Sequence, residues 1–140
     1  MALNEIFPEN GPADVYSLGP TTGTVNTGDP VKIGSLVGVA QTTSEATDGA
    51  ATGLINSNAP GYITVKLDGV HRLSVTVTGT AKIGDSVLAA VSGSNTAVTL
   101  TVGATATGKF LYGILMEPSS AGSNLKLAVK PVRITGAALP

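Results

Sequence analysis

A chain of 140 residues with eight basic and nine acidic side chains, one histidine and no cysteine has the length of one domain and can bury a core without covalent staples. The lack of cysteine excludes thiol chemistry, thiolate metal sites and a disulfide framework. A formal net charge of −1, with no run of one sign, speaks against nucleic acid as a partner, since phosphates call for a clustered basic face.

Charged residues make up 12% of the chain, about half the usual share. Eighteen threonines and 18 glycines take their place. A surface of small, uncharged, β-favouring residues suits close packing against another protein better than life as a free monomer, so an assembly is expected. The opening MALNEIFPENGP has neither the basic start nor the continuous apolar run of a secretory signal. No stretch approaches the roughly 18 apolar residues of a membrane span. The expected setting is the cytoplasm in which the chain is made, with no membrane partner.

Residues 1–20 carry Pro8, Pro12 and Pro20, with Asn10-Gly11 between the first two. Proline removes amide donors and disfavours helix in the residue before it, so this segment is expected to be extended and irregular, as either a disordered tail or an N-terminal arm. Leu3, Ile6, Phe7, Val15, Tyr16 and Leu18 are more apolar side chains than a solvated tail needs. They are the candidate residues for ordering the arm on a partner surface.

Residues 21–140 read as a single β domain of short strands between turn signals. Thr27-Gly28-Asp29-Pro30-Val31 leads into one apolar strand and Ile83-Gly84-Asp85-Ser86-Val87 into another. In both, glycine accepts positive φ and the aspartate can bond a backbone N–H two residues on. Gly28, Asp29, Pro30, Gly84 and Asp85 are therefore candidate structural turn residues, whether as an internal repeat or as two independent turns of a common type. Ser44 to Ala51 can form a short turn.

Ile63, Val65 and Leu67 alternate with Thr64 and Lys66, and Asp68-Gly69 predicts a hairpin turn into the next strand. There Leu73, Val75 and Val77 alternate with Ser74, Thr76 and Thr78, and later Val98, Leu100 and Val102 alternate with Thr99 and Thr101. Period two with one polar face predicts half-buried antiparallel sheet. Leu125, Leu127 and Val129 share a face, but Val132 and Ile134 follow Pro131 one step out of phase. A bulge or an edge at Pro131 would produce that slip.

The stretch Gly103 to Phe110, GATATGKF, has the outline of a phosphate-binding loop without its parts. Phe110 stands where a magnesium-binding Ser or Thr belongs, and the following residues read as a strand, not the helix such a loop opens. The alternative is a turn in which Gly108-Lys109 joins two strands. His71 shares the parity of Leu73, Val75 and Val77, which points it towards the core or a subunit interface. No nucleophile motif accompanies it, so no catalytic residue is assigned. Asp29 and Asp85 lack a neighbouring acid and are explained by their turns; neither a metal nor a cofactor site is indicated. A carbohydrate-binding or host-attachment module is the alternative reading, but sugar stacking would have to use Tyr16, Tyr62 or Tyr112, because the chain has no tryptophan.

The order of motifs resembles that of a family of small tailed-phage capsid decoration, or cement, proteins. An early Gly-Asp-Pro-Val is followed by Ile33-Gly34-Ser35-Leu36-Val37-Gly38-Val39-Ala40. Then come Gly69-Val70-His71-Arg72-Leu73, Ile83-Gly84-Asp85-Ser86-Val87, Tyr112-Gly113-Ile114-Leu115 and a last strand from Leu125 to Ile134. The resemblance implies an all-β fold, a compact antiparallel β-barrel or β-tulip with an N-terminal arm. It also implies a virion protein on the outer capsid surface. Such a protein would bind the major capsid protein of the expanded head as a homotrimer at three-fold and quasi-three-fold positions, bracing the shell against internal pressure.

Overall fold

The computed structural model of the chain describes residues 5–7, 15–18, 21–44, 61–91 and 96–140, the first two segments as backbone. These residues hold ten strands: β1 (Glu5–Phe7), β2 (Val15–Leu18), β3 (Pro30–Ile33), β4 (Leu36–Ala40), β5 (Ile63–Lys66), β6 (Val70–Val77), β7 (Ser86–Val91), β8 (Val98–Val102), β9 (Phe110–Leu115) and β10 (Gly122–Pro131). The fold is all-β, as the alternation predicts. Strands β6, β10, β9, β7 and β8 close into a five-stranded barrel, because β8 pairs antiparallel with β7 and parallel with β6. Strand β1 lies antiparallel along the start of β6. A second, antiparallel sheet has the order β2, β5, β4, β3.

The two Gly-Asp turns belong to one repeated unit. In each, the amide of the aspartate bonds the carbonyl three residues earlier, Asp29 to Asn26 (3.0 Å) and Asp85 to Lys82 (3.2 Å). Gly28 (φ 90°) and Gly84 (φ 95°) occupy the third position, where positive φ is required. The carboxylate does not bond forwards as expected. Its Oδ2 accepts from the amide three residues back, that of Asn26 in one copy and Lys82 in the other, both at 2.8 Å. A carboxylate folded over the turn meets the amide at its open end first.

The correspondence extends across four strands. The Gly28 amide donates to Ala40 and the Ala40 amide to the Asp29 carbonyl; Gly84, Leu115 and Asp85 repeat both bonds. The Gln41 amide donates to Thr64, as that of Met116 does to Ala128. The amide of Thr64 donates to Oγ1 of Thr42, as that of Ala128 does to Oε1 of Glu117. The register agrees throughout: Val31 faces Gly38 and Val87 faces Gly113, Val39 faces Lys66 and Ile114 faces Lys130, and Tyr16 faces Val65 as His71 faces Val129. Strands β2 to β5 and strands β6, β7, β9 and β10 are thus two copies of one four-stranded unit. They differ between the second and third strand, where the first copy has only Gly34-Ser35 and the second has room for the barrel-closing β8.

Gly38 and Gly113 hold equivalent places for one reason. A Cβ at either would drive into a neighbouring backbone carbonyl, that of Lys66 or of Lys130. Neither carbonyl can swing aside without breaking its sheet.

The cores match the predicted faces of the strands. Leu73, Val75 and Val77 of β6 and Val98, Leu100 and Val102 of β8 fill the barrel with Leu127 and Val129, while Ile63, Val65 and Leu67 belong to a second cluster with Val25, Val31 and Ala40. Val37 and Val39 of the first unit reach into the barrel cluster. The units are also joined by the Tyr112 hydroxyl, which donates to the Gly38 carbonyl at 2.6 Å, and by the Val37 amide, which donates to Arg133.

Several sequence expectations need correcting. Asp68-Gly69 is no hairpin: β5 and β6 lie in different sheets, and Gly69 (φ 88°) turns the corner between them, as Arg133 (φ 68°) does after β10. Lys66 is buried, not on a polar face. The pairing of β6 with β8 is parallel. The register irregularity of β10 lies between Gly122 and Leu125, where Asn124 has φ 53°. At Pro131 the strand ends, which accounts for the phase slip. Of the turn expected over Ser44 to Ala51, residues 45–51 lie outside the described residues.

Two predictions follow from these contacts. Gly38→Ala and Gly113→Ala should each lower unfolding free energy by about 1–3 kcal/mol, read from urea midpoints, whereas Gly136→Ala, with open space at its Cβ, should change it by less than about 0.5 kcal/mol. Tyr112→Phe should cost about 1 kcal/mol. Burial holds the Tyr112 phenol well above its ordinary value of 10.0, so the folded state keeps a proton that the unfolded chain releases. Wild-type stability should therefore fall as pH rises above that value, and the variant should fall less steeply.

Candidate functional site

GATATGKF is a connection between two strands. It leaves β8 at Val102 and enters β9 at Phe110. The Lys109 amide bonds the Ala106 carbonyl (2.9 Å), and the Gly108 amide donates to the carbonyl of Leu139 (2.9 Å). Leu139 donates in turn to Lys109 (2.8 Å), so the C-terminal segment takes up backbone groups that a phosphate cradle would need. The Lys109 ammonium donates to Thr101 Oγ1 at 3.3 Å. Gly103 is a glycine because a side chain there would collide with the Thr78 carbonyl. Each feature of the loop has a structural cause.

His71 is 0% exposed and its Nε2 lies 2.7 Å from the Asp68 carbonyl. It lies on the buried face with Leu73, Val75 and Val77, as its parity predicts. Gly28, Asp29, Pro30, Gly84 and Asp85 come together only as the paired turns described above, with Asp29 and Asp85 in separate units. Among the described residues no group of three or more His, Asp or Glu could hold a metal ion. Tyr112 is wholly buried and cannot stack on a sugar, while Tyr62 is partly exposed.

What the fold does present is a surface. On the outside of the barrel, Glu117 Oε1 accepts from Arg72 Nη1 at 2.9 Å and from the Ala128 amide at 2.8 Å, and Arg72 also donates to the Lys126 carbonyl. Arg133 Nη2 donates to Asp68 Oδ2 at 2.6 Å. Beside this second pair a groove of about 460 Å³ runs along Ile114, Lys130, Pro131 and Val132. Sequence reasoning missed these groups because the paired residues lie 45 and 65 positions apart. No local pattern joins them.

Of the arm candidates, Ile6 and Phe7 lie in β1, and Val15, Tyr16 and Leu18 in β2. Leu3 lies outside the described residues. The backbone of β1 pairs with β6 and that of β2 with β5, so both pieces run along sheet edges.

No curated protein and no solved structure matches the chain. The family model of the phage cement protein matches residues 10–131, a span that holds both repeated turns and the barrel strands. On that match, the chain is a member of the phage cement protein family, a structural family of the phage capsid.

Proposed function

We propose that the protein decorates the outer surface of the expanded phage head, binding the major capsid protein as a homotrimer at three-fold and quasi-three-fold positions, and holds the shell against internal pressure. The observation that carries this reading is the family match over residues 10–131. Composition supports it, since a sparsely charged, threonine-rich surface suits dense packing on a lattice. The chemistry required is modest. Each copy that binds the expanded state and not the loose subunit stabilises the assembled shell by mass action, and many weak contacts acting together give avidity.

In this reading the part of the N-terminal arm ahead of β2, residues 1–14, makes the shell contact, since Val15, Tyr16 and Leu18 lie in a strand paired with β5. Strand β1 is held by two residue pairs with a register shift between them, so little pairing is lost if it moves onto a neighbour. An arm that orders only on the expanded lattice would make binding report maturation.

Purified protein should co-sediment with expanded heads lacking it, near one copy per major capsid subunit, and not with unexpanded heads. Deleting residues 1–14, which leaves β2 in place, should weaken binding at least about tenfold, equivalent to 1.4 kcal/mol, with little change in melting temperature. Undiminished occupancy by the truncated chain would remove the arm from the contact. Failure of the full chain to bind either form would remove the function.

A further inference from the structure

The two copies of the four-stranded unit differ in charge on one face. Along β10, Lys126, Ala128 and Lys130 alternate with Leu127 and Val129 of the barrel core, so they share the outer face of the barrel. Across that face Ala128 stands opposite Arg72 of β6, and Lys130 stands opposite Ile114 of β9, two residues before Met116. Arg72, Lys126 and Lys130 are all exposed. The fold does not require them. The register shared by the two units puts Ser17 at the place of Arg72 and Tyr62 at that of Lys126, while Lys66, the counterpart of Lys130, is buried. Three exposed cations thus stand where the same architecture, built elsewhere in the chain, has none.

Two acids border this face, and each is engaged by an arginine: Glu117 by Arg72, and Asp68 by Arg133. With Lys126 and Lys130 added, the excess is positive. The Lys126 ammonium has no ion-pair partner among the described residues. Beyond Lys130 the face runs into the groove, whose lining is half charged (Asp68, Lys130, Arg133) and half apolar (Ile114, Pro131, Val132). Such a surface complements a protein segment that carries both carboxylates and apolar side chains. In an extended chain lying along β10, carboxylates four residues apart, roughly 13 Å, would meet both lysines. Nucleic acid fits the face less well, because phosphates call for a denser basic cluster and none of these residues is aromatic to stack on a base. A second copy of the domain also fits less well. Residues 21–44, 61–91 and 96–140 hold all eight basic residues of the chain but only four of its nine acids, Asp29, Asp68, Asp85 and Glu117, so two such bodies repel.

We infer that the outer face of β6, β10 and β9 receives an acidic, partly apolar segment of the major capsid protein, with Lys126 and Lys130 meeting its carboxylates and Met116 and Ile114 its apolar side chains. The inference rests on the decoration function proposed above and gives the body of the protein a shell contact separate from the arm.

A carbodiimide joins an amine to a carboxylate in direct contact, which allows a direct test on decorated expanded heads. Mass spectrometry of the digested particles should find an amide between Lys126 or Lys130 and an Asp or Glu of the major capsid protein. The variant Lys126→Gln with Lys130→Gln should keep the far-UV circular dichroism and melting temperature of the wild type, yet bind expanded heads at least about tenfold more weakly at low salt. Between about 0.05 and 0.5 M salt it should lose less affinity than the wild type, whose charge pairs are screened. Undiminished binding by the double variant would overturn the inference while leaving the decoration function standing. Crosslinks from these lysines only to acids of the protein's own chain would give the face to that chain, and duplex DNA binding that the double variant loses would give it to nucleic acid; either result overturns the inference. Failure of the wild type to bind heads at all would overturn the decoration function, and this contact with it.

Discussion

The molecule depends on a two-way backbone lock between a Gly-Asp turn and the strand that passes behind it. The glycine amide donates outwards to that strand and the aspartate carbonyl accepts from it, at 2.8 and 2.9 Å in the first unit and at 2.9 Å twice in the second. The aspartate carboxylate accepts from the turn's first amide, at the exposed point where chain direction changes. Two residues before the locked position stands a glycine, Gly38 or Gly113, at which the next strand's carbonyl leaves no space for a side chain. Turn, lock and close approach together fix the register of three strands. Because the same set occurs twice, the domain is specified by one solution used in duplicate.

The second copy is modified to make a barrel. Strand β8, placed where the first copy has a two-residue turn, pairs with β7 on one side and β6 on the other, and its approach also bridges to β3 through Val31 and Ala97. Closure removes the open edges that make sheets prone to uncontrolled pairing. Tyr112 ties the barrel to the first unit with a hydrogen bond in a dry environment. The result is a sparsely charged barrel bonded to the first unit, in keeping with membership of a structural family of the phage capsid.

Much of this was legible in the sequence. The alternation of Leu73, Val75 and Val77, and of Val98, Leu100 and Val102, identified inward faces because side-chain direction in a strand has period two. The echo of Gly28-Asp29 in Gly84-Asp85 was visible, but its meaning was not: the equivalence rests on partners such as Ala40 and Leu115, which no local window connects. The Asp68-Gly69 corner was misread as a hairpin for the same reason, since a tight turn has the same residues whether its strands pair or diverge. The outer face was harder still. Ile83 reads only as the apolar residue that opens a Gly-Asp turn until the fold leaves it 65% exposed, at the place where the first unit has Thr27.

A cryo-electron microscopy reconstruction of expanded heads saturated with the protein tests the account most directly. It should show this chain on the outer surface, in trimers at three-fold and quasi-three-fold positions, with the residues ahead of β2 running onto the major capsid protein. Density confined to the inner surface, or the chain seated elsewhere on the lattice as isolated monomers, would contradict it.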